Sequence, residues 1–135
     1  MKCRLAVPAE GEFDYPAGMA LSRPLSDRAR ELVAARFRAL GEPTRLKILE
    51  RLFRSPASVG EILTSVGGTQ ANVSKHLAVL RSGRLVGHTK AGNRTVYRIT
   101  DPALEQICAI VCDAVTRDAR AEARAVAPVS SSRRR

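Results

Sequence analysis

Thr69-Gln-Ala-Asn-Val-Ser-Lys-His-Leu-Ala-Val-Leu80 is the most informative run of the chain. Val73, Leu77 and Leu80 recur at i, i+4 and i+7, which predicts a helix with one buried face. Thr69 stands where a hydroxyl can cap that helix, and Gly83 where a glycine can close it. The outer face carries Gln70, Asn72, Ser74, Lys75 and His76, and no acidic residue falls between Thr69 and Leu80. A solvated helix face ordinarily mixes Glu with Lys; one without an acid leaves phosphate unrepelled. Gln and Asn can pair bidentately with adenine edges, while Ser and Lys can reach bases or phosphates.

Outward from this run the pattern stays regular. Upstream, Gly67-Gly68 breaks the chain sharply, and Ser58 with Glu61 forms a capping box that opens a short helix carrying Ile62, Leu63 and Val66. Before that, Pro43 suits the first position of a helix whose inward residues are expected to be Leu46, Leu49, Leu52 and Phe53. Ser26 caps a first helix with Leu32, Val33, Phe37 and Leu40 on one face, ended by Gly41. Downstream, Leu85 to Lys90 and Thr95 to Thr100 are rich in β-branched residues around the turn-forming Ala91-Gly92-Asn93-Arg94, which predicts a β-hairpin. Asp101-Pro102 starts a last helix with Leu104, Ile107, Cys108, Val111, Cys112 and Val115 on one face. The expected fold is mainly α with a β-hairpin wing. It is a winged helix-turn-helix, in which the second helix of the turn enters the major groove. Lys90, Asn93 and Arg94 at the hairpin tip are the further candidates for contact with the DNA backbone or minor groove, and Thr69 joins the set at the helix start.

Composition agrees. The chain has 135 residues, about one domain, with 23 Lys+Arg against 13 Asp+Glu and a net charge of +10, which favours a polyanionic partner. Aromatics make up 4% and Trp is absent, so the core must be aliphatic. Residues 1–24, with Pro8, Pro16 and Pro24 and no sustained period, are expected to be a mobile N-terminal arm. The domain proper is expected over 25–118 and a basic C-terminal tail over 119–135, ending in Ser130-Ser-Ser-Arg-Arg-Arg135. No apolar run approaches a membrane span, and Met1 to Phe13 lack the continuous apolar region of a secretory signal, so a cytoplasmic protein with reduced thiols is expected.

Three blocks carry a family resemblance. Arg38-Ala-Leu-Gly-Glu-Pro-Thr-Arg-Leu-Lys-Ile-Leu49, the Thr69–Leu80 run and Gly92-Asn-Arg-Thr-Val-Tyr-Arg-Ile99 resemble, in the same order, the repressors of the ArsR/SmtB (arsenical-resistance-type) family. The resemblance covers about Asp27 to Val115. It implies a homodimeric repressor of double-stranded operator DNA, joined through its first and last helices, that leaves the operator when an inducer, often a metal ion, binds. A dimer places two recognition helices about 34 Å apart, in successive major grooves.

The known sensor patterns are absent. Arsenite-type members carry Cys-Val-Cys at the start of the third helix, where this chain has Ser58-Val59-Gly60. Zinc-type members use Asp and His on the last helix, which here has no His; the two histidines, His76 and His88, fall in the recognition helix and the hairpin, and His76, which matches a usual family position, is read as structural or DNA-facing. Cys108 and Cys112 remain, four residues apart on one helix face, within reach of a single ion. Two thiolates make a soft site, suited to As(III), Sb(III), Cd(II), Pb(II), Hg(II) or Cu(I) rather than to Mg or Ca. Cys3 can add a third thiolate, which favours pyramidal As(III) or Sb(III) as the inducer. Against this stands simple packing, because Cys behaves as a small hydrophobe and both residues lie on the apolar face.

Other readings are open. A thiol redox or persulfide sensor is one; of these, redox sensing favours the use of Cys3, because neighbouring i, i+4 cysteines in a helix have nearly parallel Cβ vectors and do not readily close a disulfide. A regulator without a small-molecule ligand would be indifferent to all three cysteines. A nonspecific architectural protein does not need the Gln/Asn/Ser face. An enzyme is not expected, since no His or carboxylate arrangement recurs near the thiols beyond the adjacent Asp113.

Overall fold

A computed structural model of the chain describes residues 24–127. The expectations for the N-terminal arm, for Cys3 and for residues 128–135 lie outside them. The elements are α1 (Asp27–Leu40), α2 (Pro43–Arg54), β1 (Ala57–Ser58), α3 (Val59–Val66), α4 (Gln70–Ser82), β2 (Val86–Ala91), β3 (Arg94–Ile99) and α5 (Ala103–Val126). The described chain divides into two units, one ending at Pro102 and the other carrying α5. No described helix is long and apolar enough to cross a membrane.

The helix starts follow local chemistry. The Ser26 side chain accepts from the Ala29 N–H at 3.2 Å, and Pro43 sits at the first turn of α2 behind Glu42. The capping box of α3 is complete: Ser58 N–H donates to Glu61 Oε2 at 2.7 Å, and Glu61 N–H donates to Ser58 Oγ at 3.3 Å. Arg45 ties the first two helices together, its guanidinium donating to the carbonyls of Ala39 at 2.5 Å and Arg38 at 3.0 Å. Those are terminal carbonyls of α1 that no further helical turn can satisfy.

The core of the first unit is aliphatic, as the composition predicts. Ile48 and Leu49 of α2, Ile62 of α3, and Val73, Leu77 and Leu80 of α4 are all buried, with Leu85 and Val86 beneath the wing. One expectation is corrected: Leu46 is 42% exposed, and Ile48 takes its place in the core at 0%. The two lie about 160° apart around the helix, so one packed face cannot take both. Phe53 is only half-buried. On α1 only Ala39 is buried, and the face of Leu32, Val33 and Phe37 is exposed.

The sheet has three strands in the order β1-β3-β2, all antiparallel. Its hairpin turn is tighter than expected. Ala91 pairs with Arg94, so the loop is Gly92-Asn93 alone, and Gly92 has φ +63. A positive φ at the first central residue only is the pattern of a type II′ turn, whose twist matches the strands. β1 is an addition: Ala57 pairs with Tyr97 and Ser58 with Val96, which fastens the wing to the start of α3.

Gly83 closes α4 as its C-cap, as expected, but it is not the left-handed residue of the helix end. The left-handed residue is Arg84 (φ 57), one position beyond Gly83. Leu85 N–H donates to Leu80 O at 3.0 Å and Arg84 N–H to Arg81 O at 2.9 Å, the paired bonds of a Schellman motif. At Gly83 space is tight, since a Cβ there would lie 3.3 Å from the Ala39 Cβ.

In the second unit, α5 runs on to Val126, through the first part of the stretch expected to be tail. Leu104 is buried, while Ile107, Ile110, Val111 and Val115 are exposed.

Candidate nucleic-acid interface

The helix-turn-helix is α3, the Gly67-Gly68 turn and α4. Gly67 and Gly68 have φ +80 and +87, conformations that L side chains rarely adopt, so the turn requires glycine at both positions. Thr69 then opens α4 by accepting from the Asn72 N–H at 3.2 Å. With Val73, Leu77 and Leu80 anchored in the core, Gln70, Asn72, Ser74 and Lys75 are left exposed on the first two turns. The burial of the inner face dictates this presentation.

His76 stands apart from these. Its side chain is 15% exposed and its Nδ1 lies 3.6 Å from Glu42 Oε2. Glu42 is the N-cap of α2 and also accepts from the Arg45 N–H at 2.9 Å. Desolvation works to raise the Glu42 pKa, but hydrogen bonds from the Arg45 and Thr44 backbones, with the nearby imidazole, outweigh it and hold the carboxyl below its usual value. His76 is thus placed beside the start of α2 rather than on the open face of α4. The sequence gives no sign of this link, because the partners are 34 residues apart (76 − 42).

On the wing, Lys90, Asn93 and Arg94 are exposed at the hairpin tip. Behind them His88 and Tyr97, directly opposed across the strands, stack with centroids 5.6 Å apart. Arg94 reaches back to α3, donating to Ser58 Oγ at 3.0 Å and lying 3.5 Å from Glu61 Oε1. The Ser58 backbone and hydroxyl, followed after a smaller opposing desolvation by the charges of Arg94 and Arg51, hold the Glu61 carboxyl below its usual value. Thr69, the α4 face and the wing tip therefore lie in one unit of the chain, whereas Cys108 and Cys112 lie on α5 in the other. Both thiols are half-buried and neither forms a disulfide. Cys3 is outside the described residues. Among the described residues no three of His, Cys, Asp or Glu cluster closely enough to hold a metal ion.

Comparison with known proteins agrees with this geometry. Residues 42–87 match the family model described as bacterial regulatory protein, arsR family. The "Uncharacterized HTH-type transcriptional regulator Rv0081" of Mycobacterium tuberculosis is 36% identical over 93 residues, covering 68% of this chain and 82% of that one. Its crystal structure superposes with a TM-score of 0.67 over 73% of this chain and 99% of that one, at 33% identity. The homodimeric winged helix-turn-helix DNA-binding domain of Mb0332 from Mycobacterium bovis, solved by NMR, gives a TM-score of 0.61 at 33% identity, covering 73% and 92%. A Streptomyces lividans protein named "Probable mercury resistance operon repressor" is 34% identical over 71 residues, covering 53% of this chain and 57% of that one. The chain belongs to the ArsR/SmtB family of winged helix-turn-helix, DNA-binding transcriptional regulators.

Proposed function

We propose that this chain is a cytoplasmic repressor that binds operator DNA as a homodimer and releases it when a thiophilic ion binds Cys108 and Cys112. The observation that carries the DNA-binding part is the outer face of α4, exposed and without an acidic residue over the helix's first three turns. Gln70 and Asn72 are the base readers; Thr69, Ser74 and Lys75 serve bases or phosphates; Lys90, Asn93 and Arg94 hold the backbone. His76 acts by positioning α4 against α2.

Two apolar faces support the dimer. Phe37, Leu32 and Val33 on α1 are 57%, 53% and 41% exposed, and Val115, Val111 and Ile110 on α5 are 61%, 54% and 42% exposed. Large apolar side chains in such stripes mark association surfaces. The homodimeric state named for Mb0332 points the same way.

The inducer reading rests on the thiol pair. Cys108 and Cys112 are four residues apart on a continuous helix, which gives them one face and a common reach. They fit a soft ion and provide two ligands. A trivalent As(III) or Sb(III) centre, the favoured inducer, takes Cys3 as its third thiolate, whereas Hg(II) is satisfied by two. The mercury-resistance name of the Streptomyces lividans relative supports the soft-ion class. Because the thiols share α5 with the exposed apolar stripe, an ion there acts on the dimer seam and so on the spacing of the two recognition helices.

The test is fluorescence anisotropy on a labelled operator duplex at fixed salt, with reduced protein titrated with As(III), Sb(III), Cd(II), Pb(II), Hg(II) and Zn(II). Release by a thiophilic ion, lost in both Cys108→Ser and Cys112→Ser, is the expected result, and Cys3→Ser then assigns the third ligand. Tight binding through every ion would sink the inducer reading and leave a ligand-independent or redox-responsive regulator.

A further inference from the structure

We propose that Glu61 controls how readily the wing engages DNA: Arg94 is held by the α3 cap in the free protein and passes to a backbone phosphate in the complex, with Glu61 setting that exchange. This rests on the DNA-binding reading above.

A shallow groove runs between the start of α3 and the wing tip, lined among others by Ser58, Gly60, Glu61, Gln70, Asn93 and Arg94. It joins the first residue of the recognition helix to the wing, the two features between which a sugar–phosphate strand would run. A Cβ at Gly60 would meet nothing closer than Ser58 Oγ at 4.0 Å, so this wall is open. Asn93 and Arg94 supply donors for phosphate oxygens, and Glu61 is the one anion among the lining residues. An uncompensated carboxylate there would repel the strand, but Glu61 is compensated by Arg94 at 3.5 Å. When a phosphate takes Arg94, Glu61 keeps only the charge of Arg51 nearby. Every binding event therefore breaks one ion pair.

The pair is suited to exchange. Arg94 and Glu61 are 63% and 50% exposed, and contacts this wet are weak. The wing does not depend on them, because β1 and β2 pair with β3 on either side and fix the hairpin. Glu61 thus lowers affinity by a set amount without loosening the fold, a device for keeping a repressor releasable.

The experiment uses the full chain and a fluorescein-labelled duplex selected by the parent protein from a randomised library. Glu61→Gln removes the charge and keeps the cap acceptor, which thermal unfolding verifies. The expected result is about two- to fivefold tighter binding for E61Q, the range set by an exposed ion pair. That gain should exceed the gain of E61Q/R94A over R94A alone, where only the repulsion of an uncompensated carboxylate is relieved. An equal gain in the R94A background would mean that Glu61 merely repels phosphate, and no gain in either background would mean that the pair is immaterial; both overturn the exchange. If no duplex is selected or bound by any variant, the DNA-binding reading itself fails, and the proposal with it.

Discussion

Helices α4 and α5 are both amphipathic, yet they use their apolar faces differently. In α4 the stripe of Val73, Leu77 and Leu80 is wholly buried inside the chain, and the polar face is left for a ligand. In α5 only Leu104 is buried, and Ile107, Ile110, Val111 and Val115 remain at the surface. Amphipathicity alone therefore does not distinguish a helix that completes a core from one that leaves its apolar stripe at the surface. The difference bears on the proposed roles: DNA contact on the polar side of α4, and self-association on the apolar side of α5.

Truncating the two stripes should separate these roles most sharply. Leu77→Ala opens a cavity at a fully packed position and should cost about 2–5 kcal/mol in urea unfolding. Val111→Lys, at a position 54% exposed, should leave the fold of each protomer intact but weaken self-association at least about tenfold by sedimentation, since an unpaired charge at a seam is costly. If Val111→Lys unfolded the protein outright, the distinction between the two helices would collapse.

On the polar face, contacts to bases and to phosphates should part company. Asn72→Ala is expected to lose about 1–3 kcal/mol on the selected operator and little on random duplex. Lys90→Ala should weaken both duplexes alike and reduce the salt slope of log K by about 1. Equal losses for Asn72→Ala on both duplexes would demote α4 from reader to backbone clamp.

Arg84 offers a smaller effect of opposite sign. It occupies the left-handed region (φ 57), where a side chain is strained and glycine is not. Arg84→Gly should raise stability by up to about 1 kcal/mol, and Arg84→Ala should not. Smallest of all is a pH effect. Glu42 and Glu61 are both held below the ordinary value of 4.5, so their contribution is complete above it and is lost as the pH falls below it. The urea midpoint should be flat from neutrality to about pH 5 and then decline, and Glu42→Gln with Glu61→Gln should flatten the decline.

Much of this was legible in the residues because it is local. Ser26, Ser58 and Thr69 cap their helices through contacts three residues away, Pro43 suits the first turn of α2 by its fixed backbone, and Gly67-Gly68 forces the turn by backbone sterics alone. The α4 stripe was readable because helical period and burial coincide there. The Ile48-for-Leu46 exchange was not, because both are apolar and only the direction of packing chooses between them. β1 escaped notice because two residues carry no period, and its pairing with β3 spans some 40 residues of chain. Arg84 was hidden behind Gly83, the residue that propensity favours for a helix end.

The sequence by itself determined the order of elements, the helix caps, the glycine turn, the polar face of α4 and the membership of the family, since each depends on residue type at short spacing. Only the tertiary structure decided which apolar faces are covered, that His76 serves Glu42, and that Arg94 is held by Ser58 and Glu61. Those outcomes depend on which distant segments meet in space, and no local spacing encodes that.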